Sequence, residues 1–331
     1  MRKYWQKINE GDTACVVAPS YGISINDDID ANMAITIKIV ESYGLKPLVY
    51  SNMLALGNHT LFDDKHLRLA NSDEVKVVHL IDAFNNPSCD VIWSFKGGYG
   101  AIRLLSSLSK ELEPQKVKPF IGFSDITILH SYINDVWGWP SIHFGMPGSL
   151  QNVMQRDDTK QSLQDIIFGT KQEVTFKLKS LNQDLSSHTV INGVTAGGNM
   201  FNFDKLLGTK YSPILKSKII VLEDVEEPAR KIDGFLHKLM LMEDFGEIEA
   251  IVFANFTPQK DQPIFNKIFI NFAENVDVPV FQLDPANTIG HGDINNAFPL
   301  GTEAVIELVG SCLQLSVHPG LNNMPDSSNE L

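Results

Sequence analysis

The chain has 331 residues, with 27 Lys+Arg against 40 Asp+Glu and so a net charge of −13, and hydrophobic residues make up 43% of it. That balance excludes a disordered chain, and the length sets an expectation of two domains, each with its own core. The acidic excess argues against a nucleic-acid partner and against an anionic membrane surface, both of which need basic surface; an anionic substrate would have to be captured by a local cluster of donors. Cys15, Cys89 and Cys312 are far apart and form no C-x-x-C pair, which favours neither a disulfide framework nor a thiolate zinc site. The first ten residues carry basic groups with no apolar stretch after them, so no signal peptide is expected. No segment reads as a membrane span, and the expected compartment is the cytoplasm.

In chain order, residues 13–19 (TACVVAP) read as a buried strand, 27–43 as an amphipathic helix and 46–51 as a second short strand. Residues 90–96 (DVIWSFK) form the next strand, broken by Gly97-Gly98-Tyr99-Gly100; residues 101–112 then place Ile102, Leu105, Leu108 and Leu112 on one helical stripe. Residues 118–122 (KPFIG) lead straight into a helix over 125–136. Repeated strand–turn–helix units predict an α/β fold with a parallel sheet covered by helices on both faces, and ligands bind beyond the carboxyl ends of such strands. The Gly97 turn and the Ser124 turn therefore share one edge. Residues 151–190 are polar and weakly patterned and read as a linker. Beyond them come Gly197-Gly198-Asn199, a strand over 218–223, and a helix opening at Pro228 with Ile232, Phe235, Leu236, Leu239 and Met240 on its buried face, ended by Gly246. Strands at 250–256, 278–283, 304–309 and 313–317 predict a β-rich second domain, and the tail from His318 is expected to fray.

Ser124 lies on the strand-to-helix turn Ile121-Gly122-Phe123-Ser124-Asp125-Ile126. Such a turn presents the serine to solvent, and the Asp125 amide points at the same space, so the pair reads as a nucleophile with half an oxyanion hole. The competing reading is a helix N-cap, and the second glycine of G-x-S-x-G is missing. Amides of the Gly97 and Gly98 loop could supply the second donor, since no Cβ stands in the way; a phosphate cradle and a plain tight turn compete, although neither G-x-G-x-x-G nor G-x-x-x-x-G-K-[ST] is present. Glu223 ends an apolar strand, where a buried carboxylate needs a partner such as an imidazolium, whereas Glu226 and Glu227 read as caps of the helix that follows. His291, between Gly290 and Gly292 on a long loop, suits general-base work near neutral pH, against the alternative of a merely solvated loop histidine. His143 is its rival, and His130 points elsewhere. No H-x-x-x-H or H-x-H pair supports a metal site.

Together these segments resemble the LD-carboxypeptidase family of serine peptidases, also described as the muramoyltetrapeptide carboxypeptidase or microcin-immunity-like family. The blocks that carry the resemblance are KGGYGAIRLL, GFSDIT, GGN, LEDV with Ile232-Asp233, and GHG followed by N and PLG, all in one order along most of the chain. The resemblance implies a three-layer N-terminal domain, class I glutamine amidotransferase-like (1–155), then a variable segment (156–190) and a β-rich C-terminal domain (191–331). It implies Ser124 as nucleophile, His291 as general base, Glu223 as the carboxylate that orients it, and an oxyanion hole built from backbone at Gly97, Gly98 and Asp125. It also implies a small peptide substrate, an inter-domain cleft, a homodimer, and neither cofactor nor metal. Lys96 stands where the family commonly has Arg before the paired glycines, which keeps a substrate-binding charge but loses bidentate carboxylate recognition. Phe123 stands where Tyr is common and removes a hydroxyl.

One branch of the family trims terminal D-Ala from cytoplasmic murein tetrapeptides, and the other cleaves peptidyl- or aminoacyl-nucleotide antibiotics and carries a longer aromatic insertion between its Ser and Glu segments. Here that interval is compact and no Trp follows Trp139, which favours the murein branch. Two other classes stay open from the residues alone. One is a non-enzymatic small-ligand binding protein. The other is a carboxylate-pair glycosidase using Glu223 with Asp224 or Glu226, although neighbours on a strand face opposite ways.

Overall fold

The computed structural model describes residues 3–23, 28–54, 67–108, 113–149, 151–182 and 189–322. The first half runs β1 (Thr13–Val17), α1 (Ile29–Ser42), β2 (Lys46–Val49), α2 (Asp73–Asn85), β3 (Val91–Ser94), the short α3 (Ala101–Leu104) and β4 (Phe120–Gly122). A 3-10 turn at Ser124–Ile126 follows, then α4 (Thr127–Tyr132), a π-helical turn at Ile133–Trp137, and β5 (Ser141–His143). Strands β3, β4 and β5 are buried at every position, as strands covered on both faces must be. Alternation along them sends Val16, Trp93, Ile121 and Ile142 into one apolar layer and Cys15, Val17, Ile92 and Phe120 into the other, so the sheet is the middle of three layers. The strands run parallel in the order β5-β4-β3-β1-β2.

The second half contains α5 (Gln151–Met154), α6 (Asp157–Ile167), β6 (Val174–Ser180), β7 (Val190–Asn199), α7 (Met200–Asp204), β8 (Lys218–Val225), α8 (Ala229–Met240) and β9 (Ala250–Thr257). It ends with α9 (Gln262–Glu274), β10 (Val280–Leu283), β11 (Phe298–Leu300), β12 (Glu303–Val309) and β13 (Cys312–Val317). Seven strands close into a barrel in the order β10-β6-β13-β12-β7-β8-β9, and β7 to β10 run parallel within it. Phe176, Ile219, Val221, Val252, Phe281, Ile306 and Leu315 fill the barrel. Alternate residues Ile220, Leu222, Ile251 and Phe253 face outward under α8 and α9.

Three expectations change. The described residues within 156–190 are not a linker: α6 buries Leu163, Ile166 and Ile167 in the core of the parallel sheet, and β6 is a stave of the barrel. The helix carries a charged outer half that masks its apolar stripe in a linear reading. Gly246 does not end α8, which stops at Met240; the glycine falls in a separate 3-10 turn at Phe245–Glu247. The helix expected over 101–112 is regular only to Leu104, and Leu112 lies outside the described residues. Furthermore, β11 leaves the barrel sequence to pair antiparallel with β5, with Phe298 opposite His143, so a segment assigned to the second domain completes the first domain's sheet.

Candidate active site

Strand β4 ends at Gly122, where a Cβ would lie 2.7 Å from the Ile126 side chain; glycine lets the turn fold back onto the strand. Two residues later Ser124 adopts φ 61°, a left-handed conformation that costs a non-glycine residue about 1–3 kcal/mol. The side chain is thereby held toward Gly97, whose added Cβ would stand 3.3 Å from Ser124 Oγ. The Ser124 and Gly97 turns do share one edge of the sheet.

The glycine loop between β3 and α3 is tightly fixed. Gly98 has φ 105°, and a Cβ there would strike the Tyr21 ring at 2.0 Å. The Tyr21 amide donates to the Gly97 carbonyl at 3.2 Å. Below it, Asp125 Oδ2 accepts from Ser20 Oγ (2.7 Å) and from the Ala101 amide (2.9 Å). The sequence reading uses only the backbone of Asp125, but its buried side chain ties together the loop after β1, the start of α3 and the serine turn. Burial raises its pKa although both donors pull the other way. Half-buried Lys96 opens the same loop.

From the barrel side, Glu223 is wholly buried on β8, opposite an extra residue in β9 that shifts the register between Leu222 and Asp224. Its Oε2 lies 2.7 Å from His291 Nδ1 and accepts from the His291 amide at 3.1 Å. Gly290 makes this possible: with φ 72°, it passes so close that a Cβ would sit 2.4 Å from the Glu223 carboxyl carbon. The flanking glycine thus serves close approach rather than mobility. Burial opposes the Glu223 charge, but His291 and a second histidine, His143, outweigh it and hold the carboxyl well below its usual range. Burial likewise opposes the His291 imidazolium; the Glu223 charge and hydrogen bond outweigh it and raise the pKa. The ring of Phe123, next to the serine, packs 4.6 Å from the His291 ring, which brings the loop to the serine turn.

Several contributors were missed in the sequence. Asn295, fully buried, donates to the Gly290 carbonyl and accepts from the Gly145 amide, bridging the His291 loop to the parallel sheet. The Asn255 side chain donates through Nδ2 to the His291 carbonyl. In the GGN block, the Asn199 amide donates to Thr127 Oγ1 across the halves (2.9 Å), and its side chain donates to Asp224 (2.9 Å). Asp224 also accepts from the Phe201 and Val225 amides, yet burial and the Glu223 charge push it up to about 7. Adjacent Glu223 and Asp224 therefore keep separate partners. The only early signal for Asn295 and Asn199 was their place inside otherwise glycine-rich blocks. His130 is buried, hydrogen bonded to the Gly122 carbonyl, and its pKa is pushed down by burial to about 3. Among the described residues no His/Cys/Asp/Glu group is placed to hold a metal ion, and no helix is long and apolar enough to cross a membrane.

Residues 15–144 match the LD-carboxypeptidase N-terminal domain, and residues 192–306 match the LD-carboxypeptidase C-terminal domain. A carboxypeptidase-named chain of Rickettsia conorii is 35% identical over 239 residues, 72% of this chain and 74% of its own length. The murein tetrapeptide carboxypeptidase of Pseudomonas aeruginosa is 29% identical over 319 residues, 92% and 95% of the two chains. The crystal structure of an MccF-like protein from Bacillus anthracis superimposes with a TM-score of 0.76 at 21% identity, over 95% of this chain and 98% of that one, and shows the same fold.

Proposed function

Because the chain belongs to the LD-carboxypeptidase family of serine-carboxypeptidase-like hydrolases, we propose that it releases terminal D-Ala from a murein tetrapeptide by hydrolysing an L,D-amide bond. In this reading Ser124 Oγ attacks the amide carbonyl while His291 Nε2 takes its proton. The imidazolium then protonates the leaving amine, and water repeats the cycle on the acyl-enzyme. Glu223 fixes the tautomer, with Nδ1–H toward Oε2, and stabilises the imidazolium. Amides of Asp125 and of the Gly97 and Gly98 loop receive the oxyanion, and the Lys96 ammonium receives the substrate carboxylate.

The observation that carries the reading is the 2.7 Å His291–Glu223 contact held against the residue beside a strained serine. The murein peptide is favoured by the likeness to the Pseudomonas aeruginosa enzyme along nearly the whole chain, and by the compact Ser–Glu interval without tryptophan. Free cysteines support the cytoplasm as compartment. A homodimer is carried on the family resemblance, and light scattering checks it.

The deciding assay incubates the protein with murein tetrapeptide and, separately, with a peptidyl-nucleotide, following products by mass. D-Ala release is expected, reduced by at least about 10⁴-fold in Ser124→Ala and in His291→Ala. Release of the nucleotide alone would move the substrate to the antibiotic branch, and full activity in Ser124→Ala would overturn the mechanism.

A further inference from the structure

Glu223 has two histidine neighbours, and the triad uses one. The other, His143, is the last residue of β5 and is buried; its Nε2 lies 3.6 Å from Glu223 Oε1. Among the described residues, neither ring nitrogen of His143 nor Glu223 Oε1 has a hydrogen-bond partner at ordinary distance. Two unmatched polar groups facing each other in a dry interior complete one another after a shift of a few tenths of an ångström.

The placement is specific. In the β4–β5 ladder His143 stands opposite Gly122, two residues before Ser124, so it belongs to the serine's own sheet, whereas Glu223 belongs to the barrel. On its far side, Gly198 leaves the room: a Cβ there would lie 3.0 Å from His143 Nδ1 and 2.8 Å from Thr127 Oγ1. The Phe123 ring packs edge-on against His143 (5.9 Å between centroids) and tilted against His291 (4.6 Å), filling the angle between the two imidazoles.

We propose that His143 is a positioning residue: its ring directs Nε2–H at Glu223 Oε1, sets the carboxylate so that Oε2 faces His291, and registers the barrel's carboxylate on the sheet that holds the serine. The inference rests on the triad reading above and deepens it. The charged and titratable groups around this cluster are His291 on its loop, His130 on α4 (6.2 Å from the His143 ring), Asp224 on β8 and Glu226 just beyond it.

The test compares wild type, His143→Gln and His143→Phe by ¹⁵N-histidine NMR titration and by the pH profile of kcat/KM on murein tetrapeptide. Gln retains an N–H donor at similar reach and should keep kcat within about threefold. Phe keeps the ring packing and loses the donor; kcat should fall about ten- to a hundredfold with KM nearly constant. Both the His291 NMR midpoint and the acidic limb should move to higher pH in the Phe variant, since the undivided Glu223 charge then falls on His291. A folded Phe variant with wild-type midpoint and kcat would overturn the proposal. If the Phe variant does not fold, the wild-type spectrum decides: a proton on Nδ1 of His143 instead of Nε2 overturns it, and one on Nε2 supports it. The NMR arm needs no turnover, so an absence of peptidase activity would sink the triad reading while His143's grip on Glu223 is judged separately.

Discussion

A carboxylate removed from water must be matched by donors, and Glu223 is matched almost entirely by histidine: one at 2.7 Å through Oε2, with the same residue's amide adding a second bond at 3.1 Å. This pairing has a kinetic consequence. In the proposed mechanism only neutral His291 can act as base, and Glu223 raises its pKa. The acidic limb of kcat/KM should therefore lie above the ordinary imidazole value of about 6.5. In Glu223→Gln the largest raising charge is gone and only Asp224 and Glu226 stand against burial, so the limb should shift to lower pH while kcat falls about 10³–10⁴-fold. A pH–rate series on the two proteins checks both directions. At this scale the sequence was most legible for residues whose chemistry is intrinsically conspicuous: Ser124 on its turn, Glu223 ending an apolar run, His291 between glycines. Asn295 and Asn199 showed only through their place in glycine-rich blocks, and the side chain of Asp125 not at all, because a polar residue that braces a loop looks the same in one dimension as one that is solvated.

At the scale of elements, glycines decide how closely the pieces approach. Gly290 lies directly over the Glu223 carboxyl, and Gly98 lies against the face of Tyr21. Gly290→Ala demands both a left-handed alanine and a new atom 2.4 Å from a buried carbon. The loop must lift, and a displacement near 1 Å at the base is enough to cost about 10²-fold in kcat. Because the loop is surface-connected, the melting temperature should fall by only a few degrees, about the effect of 1–3 kcal/mol. Steady-state kinetics beside a thermal melt separates these outcomes; a large loss of stability with intact kcat in the folded fraction would contradict the argument. Element boundaries were readable where strands are continuous apolar runs, as in β1, β3, β8 and β9. They were not readable in α2, whose inward face includes Lys76 and His79, or in α6, whose inward face is interrupted by buried Thr159 and Asp165. Tertiary partners absorb such polar groups, as where Asn52 Oδ1 lies 2.9 Å from His79 Nε2.

The whole molecule is tied together more closely than a two-domain reading of the sequence implied. β11, from the C-terminal stretch, is the edge strand of the N-terminal sheet, and Leu321 packs into that sheet's core. The largely buried Lys218–Asp135 pair (2.9 Å), the Asn199–Thr127 bond, the Tyr211 hydroxyl on the Leu105 carbonyl (2.8 Å) and the Asn295 bridge all cross between halves. The two halves therefore share buried apolar contacts and buried polar partners, and opening either one exposes unmatched groups in the other. Such coupling should make unfolding a single cooperative transition despite the chain's length. The protein carries its own reporter: Trp5, Trp93, Trp137 and Trp139 are all buried in the N-terminal half, so tryptophan emission follows the parallel sheet alone. Amide exchange at the wholly buried β8 positions 219–223 follows the barrel. In a urea series the two probes should give the same midpoint and the same slope. A tryptophan transition that comes first, with β8 still protected, would mean that the barrel stands without the sheet; the active-site geometry would then depend on a docking equilibrium instead of on one folded unit.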